Sequence, residues 1–71
     1  MSDDGSVFRE AVIDVLENQG ITVTSTGEPD WYFIESEGGA IETQMLPKKV
    51  KKRLLQYFKR RYGIPIHFFY Q

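Results

Sequence analysis

Two glycines punctuate this chain in the same way, and they limit its fold more than any other feature. Asn18-Gln19-Gly20-Ile21-Thr22-Val23 and Arg61-Tyr62-Gly63-Ile64-Pro65-Ile66 each set a glycine after a helical stripe and an isoleucine after the glycine. Glycine takes up the left-handed conformation that ends a helix without steric cost, and the apolar residue behind it folds back on the last turn. Upstream of Gly20, Phe8, Val12, Val15 and Leu16 follow the i, i+4, i+7, i+8 spacing of one buried stripe, with Glu10, Asp14 and Glu17 opposite. A helix is predicted over 6–19, capped by Ser6, with Asp3 and Asp4 at the positive end of its dipole. Upstream of Gly63, the stripe is Val50, Leu54, Tyr57 and Phe58, flanked by Leu55 and Tyr62. It predicts a second helix over 47–62, with Pro47 at the first position, where its missing N–H costs nothing. The likeness of the two endings reads as a shared stopping device and not as a duplicated half.

Between the helices the period falls to two. Residues 21–24, 31–36 and 40–45 alternate as strands, separated by the turn residues 26–30 and by Gly38-Gly39, which permits a tight hairpin. Residues 64–70 read as a last strand, which Pro65 pushes towards an edge. The expected order is α-β-β-β-α-β, an α+β two-layer sandwich with two helices on one face of a mostly antiparallel sheet. Length allows one domain over 1–71, and residues 1–5 are expected to be disordered.

With no cysteine, neither a disulfide nor a zinc–thiolate cluster can staple the domain, so its ten aromatics must carry much of the core. The longest apolar run, Trp31-Tyr32-Phe33-Ile34, is far too short to span a bilayer or form a signal-peptide core. The acidic start also argues against export, so a cytoplasmic location is expected.

The net charge of −1 conceals a division. Residues 1–47 hold every acid and a single base, Arg9, whereas residues 48–71 hold eight bases and no acid. On the predicted helix, Lys48, Lys49, Lys52, Arg53, Lys59 and Arg60 cover the arc opposite the apolar stripe. Lys51 and Arg61 lie nearer its edge, where their stems can pack. A helix that is merely solvated usually mixes signs and gains about 0.2–0.5 kcal/mol per opposite pair. This one lacks acids and crowds lysines into its first turns, where each is opposed by about 0.3–1 kcal/mol. Three things could offset that: phosphates, an acidic partner, or the chain's own acidic half. Phosphate is the economical choice, because a helix start already offers unpaired N–H groups.

An α-β-β-β-α order with Lys48, Lys49 and Lys52 opening the second helix resembles double-stranded-RNA-binding domains over roughly residues 6–62. The resemblance implies that these lysines sit on phosphates across a major groove while the first helix reads the minor groove. It implies RNA, not DNA, as the favoured partner. The chain departs from that pattern in having Met45-Leu46-Pro47 before the lysines, an added segment at 64–70, and acids on the exposed side of its first helix. HicA-like toxins are similar in order and length. Their strand-two histidine, needed for RNA cleavage, has no counterpart here, since Asp30-Trp31-Tyr32 occupies that stretch.

Trp31 to Ile34 and Phe68 to Tyr70 place large apolar groups on both faces of their strands, so one face should expose aromatics. Trp31, Phe33 and Phe69 form a candidate partner face. Readings in order of preference are coverage of a thin core, a homodimer interface, and stacking of unpaired bases; an acidic protein is instead a candidate partner of the basic helix. His67 is the only histidine and lacks a partner for general-base work or metal binding. Glu35, Glu37 and Glu42 flank a Gly-Gly turn, where carboxylates are usually solvated. No catalytic residue, metal, cofactor or small-molecule substrate is expected. The leading expectation is a non-enzymatic binding domain for structured RNA or DNA; the rival is a protein-interaction domain that homodimerises through its aromatic strands, with the basic helix neutralised by its own acidic half.

Overall fold

Alternation between residues 22 and 45 yields a three-stranded antiparallel meander. The computed structural model describes residues 5–70. Strand β1 (Val7–Phe8) leads into helix α1 (Arg9–Asn18), followed by β2 (Thr22–Ser25), β3 (Trp31–Glu35), β4 (Ile41–Met45) and β5 (Lys49–Val50). Helix α2 (Lys52–Tyr62) and a terminal 3-10 helix (Ile66–Tyr70) complete the chain. The sheet order is β2-β3-β4, and β1 pairs separately with β5 in a two-residue ladder, Val7 opposite Val50. The α+β class and antiparallel layering are as the sequence leads one to expect.

Inside the meander one face turns to the helices. Ile34 of β3 is fully buried with Val12 and Leu16 of α1, Leu55 and Phe58 of α2, Leu46, Val50 and Ile64. Phe58 is the hub: its ring lies 6.0 Å from Tyr62 and 6.4 Å from Phe69. No charged or polar residue is buried among the described residues.

Both glycine stops are in place. Gly20 has φ +84°, and the amides of Gly20 and Ile21 donate to the carbonyls of Glu17 and Leu16. That 5→2 and 6→1 pair is the Schellman ending. Gly63 has φ +71° and donates to Lys59 at 2.8 Å.

The helix starts and the tail differ from expectation. Helix α1 begins at Arg9, not Ser6: Phe8 is extended and caps without a side-chain bond, while the Arg9 amide donates to the Lys48 carbonyl at 2.8 Å. Phe8 consequently leaves the buried stripe and is 64% exposed. Helix α2 begins at Lys52, not Pro47, because Val50 is drawn into the ladder with Val7 and buried there. The expected fourth strand at 64–70 is the 3-10 helix. Pro65 lacks a ladder donor, its carbonyl accepts from the Phe68 amide, and Ile66 and Phe69 turn inward with the period of three that a 3-10 turn imposes. Of residues 1–5, only Gly5 lies within the described range, and its carbonyl accepts a hydrogen bond from the Tyr70 hydroxyl at 2.5 Å.

Candidate functional site

The later helix start divides the basic segment. Lys48 sits in a bend, Lys49 on β5, Lys51 at the cap, and Lys52 and Arg53 in the first turn of α2. Lys59, Arg60 and Arg61 occupy the last turn, where the dipole favours them. At 1.5 Å per residue the two groups stand about 10 Å apart along the axis. The six residues singled out from sequence therefore form two clusters. Lys48, Lys49, Lys52 and Arg53 gather with Lys51, while Lys59 and Arg60 lie at the far end.

All eight bases are exposed. Of these eight, only Arg61 has a carboxylate of the described residues within 4.0 Å, Glu42 at 3.8 Å. The other ion pair, Arg9 with Asp30 at 2.5 Å, belongs to the framework. There Arg9 also donates to the Leu46 carbonyl at 2.8 Å and lies over the Tyr32 ring, tying the start of α1 to the β2–β3 turn and the end of β4. The exposed acids of α1, Glu10, Asp14 and Glu17, make no ion pair with the basic segment.

Lys49, Lys51, Lys52 and Arg53 line an open groove of about 620 Å³ whose apolar lining is Met45, Pro47 and Leu54. Two aromatic residues neighbour side chains of its lining. Met45 faces Trp31 across the β3–β4 ladder. Phe8 lies opposite Lys49 in the β1–β5 ladder, with the Lys49 ammonium 5.5 Å from its ring centroid. Lys48 and Phe8 together line a neighbouring cleft with Arg9 and Glu10.

The outer face of the meander joins this groove through Met45. Trp31, Phe33, Ile41 and Met45 share that face and are 41–61% exposed. Strand β4 inverts the usual economy: it turns Glu42 and Gln44 towards the helices and leaves Ile41 and Met45 in solvent. Trp31 and Phe33 thus lie on one open face, as expected. Phe69 does not: it is 2% exposed in the core, because the 3-10 turn points it at Phe58.

Glu42 is not a solvated hairpin carboxylate. Tyr57 donates to its Oε1 at 2.6 Å, and Tyr62 donates to its Oε2, which Arg61 also approaches. The hydrogen bond to Glu42 and then burial push the Tyr57 hydroxyl above its ordinary value. Burial and then the Glu42 bond push that of Tyr62 up further. The cluster locks α2 onto β4. His67 is exposed, edge-on to Phe68 at 5.0 Å. Among the described residues no three metal-ligating side chains converge, and no helix is long and apolar enough to cross a membrane.

Sequence reasoning missed Met45 and Lys51 as parts of the groove, and Phe8 as the neighbour of Lys49. Phe8 matched the helical stripe, and only its long-range pairing with Lys49 removes it from there. Compared with known proteins, the chain matches no protein-family model, no curated protein and no solved structure.

Proposed function

We propose that this chain is a non-enzymatic nucleic-acid-binding domain, with RNA the favoured partner, acting through Lys48, Lys49, Lys51, Lys52 and Arg53. One observation carries the proposal. Of the eight bases between residues 48 and 61, seven have no carboxylate within ion-pair distance among the described residues. Five of them surround the start of α2, where the dipole repels cations, so the cluster raises the energy of the fold that carries it. An anionic ligand with regularly spaced charges relieves that cost, and a polyphosphate backbone is such a ligand. Lys59 and Arg60 extend the positive field from the far end of the helix.

Five phosphate contacts give a log–log salt slope of about −3.5 on a single strand or −4.5 on a duplex. Triple replacement of Lys49, Lys52 and Arg53 by Glu should abolish binding to RNA in a filter or anisotropy assay while circular dichroism stays unchanged. All three side chains are exposed, so the fold does not depend on them. RNA affinity equal to that of the wild type would reject the proposal. The open apolar face favours a second reading, self-association through Trp31, Phe33, Ile41 and Met45. Sedimentation at increasing concentration separates the two, since that reading requires a dimer without ligand.

A further inference from the structure

We infer that the strand bound by this surface is unpaired: a single-stranded nucleic acid whose phosphates follow Lys49, Lys51, Lys52 and Arg53 and whose bases stack on Trp31 and Phe8. The inference rests on the nucleic-acid reading above and specifies which form of nucleic acid it concerns.

Three observations converge on it. Exposed aromatic side chains neighbour the basic groove: Trp31 pairs with Met45 and Phe8 with Lys49, and both of those partners line it. In a duplex the base faces are already stacked on one another, so exposed rings beside the lysines gain nothing. On a single strand each base offers a free face, and each stack is worth about 5- to 150-fold in affinity. Next, Trp31 and Met45 are exposed on a strand pair that turns polar Glu42 and Gln44 inward. Core packing does not account for rings and thioether left in solvent there. Finally, α1 presents Glu10, Asp14 and Glu17 to solvent. A rigid duplex broad enough to reach both helices would bring its phosphates against these acids, whereas a flexible strand can keep to the basic groove. The positive lining also favours a polyanion over a second copy of this chain, whose groove carries the same charges.

Trp31 is the only tryptophan, so its fluorescence reports on this face alone. Titration of the wild-type chain with a single-stranded oligouridylate should quench Trp31. A blunt RNA duplex of equal length should bind more weakly and leave the emission unchanged. Trp31→Ala and, separately, Phe8→Ser should each lower single-strand affinity by about 5- to 150-fold, with little effect on any duplex binding. Because Phe8 is the more exposed of the two, its variant serves if the first fails to fold. Duplex bound as tightly as single strand, with no quenching, would overturn the inference and leave the nucleic-acid proposal standing. Failure to bind either form would remove both. Tighter binding of a polyglutamate peptide than of the oligonucleotide, or a ligand-free dimer broken by Trp31→Ala, would assign the face to protein instead.

Discussion

Glu42 shows how much a single side chain can tie together in a domain without staples. It accepts from Tyr57 and Tyr62 and faces Arg61, so three groups of α2 converge on one carboxylate of β4. Bonds to a charged acceptor contribute about 1.5–3 kcal/mol when buried; partial exposure keeps this cluster near the lower end. Both phenols have folded-state proton affinities raised above their unfolded value of about 10. A raised value means that the folded state holds the proton more tightly. The stability this supplies is complete below about pH 10 and is lost as pH rises through the higher folded values. Melting temperature should therefore fall on the alkaline side, in step with phenolate absorbance. Tyr62→Phe should lower neutral stability by about 1 kcal/mol and make the alkaline decline shallower. An unchanged decline in that variant would show that other groups set it. None of this was legible in the sequence. Beside Gly38-Gly39, Glu42 reads as a loop carboxylate, and its partners stand 15 and 20 residues further on. Only the inward turn of β4's polar residues reveals it, and that depends on register with β3.

At the scale of elements, ends were legible and beginnings were not. A helix stop is local chemistry: Gly20 and Gly63 hold the left-handed backbone that L side chains resist by about 1–2 kcal/mol. Gly63→Ala should lower stability by about that amount, since nothing stands within 4 Å of an added methyl and only the backbone resists. Gly20→Ala should cost at least as much. Its new Cβ would meet the Glu37 carboxylate at 2.6 Å, though that long side chain can swing away into solvent. Asn at either position should recover part of the loss, because its side chain tolerates this region. Urea titrations of the Ala and Asn variants at both positions would check the ranking; an Ala variant at Gly63 as stable as the wild type would refute the assigned role. Helix starts here are non-local instead. Phe8 and Lys51 cap without a side-chain bond, and the β1–β5 ladder, two residues per strand, decides where each helix begins. No periodicity can be read from two residues. The tail failed for another reason: Ile66 to Tyr70 satisfies a period of two or three equally well, and contact between Phe69 and Phe58 selects three.

At the scale of the whole fold, direct ion pairs among the described residues leave the charge division largely in place. The domain is 17 Å thick in its shortest dimension, so its layers are close enough for acidic and basic halves to meet. Yet among the described residues the only pair joining them is Arg61 with Glu42. Five bases crowd the start of α2 instead, within a domain whose total stability is about 4–10 kcal/mol. Mutual repulsion among them adds to the opposing dipole. It also acts through solvent, where salt screens it: the Debye length shrinks from about 10 Å at 0.1 M to about 3 Å at 1 M. Two signs are possible. If folding paired the acidic and basic halves, screening would weaken attraction and lower the melting temperature. With the cations left unpaired, screening weakens repulsion, and the melting temperature should rise with sodium chloride. Phosphate should raise it further at equal ionic strength, because an anion bound only to the folded state adds stability in proportion to the logarithm of its concentration. The Lys49, Lys52 and Arg53 triple Glu variant should lose both responses, since it removes the repulsion and the anion site together. A wild-type melting temperature that falls as salt is added would mean that the two halves neutralise one another after all, and the basic groove would no longer call for an external ligand.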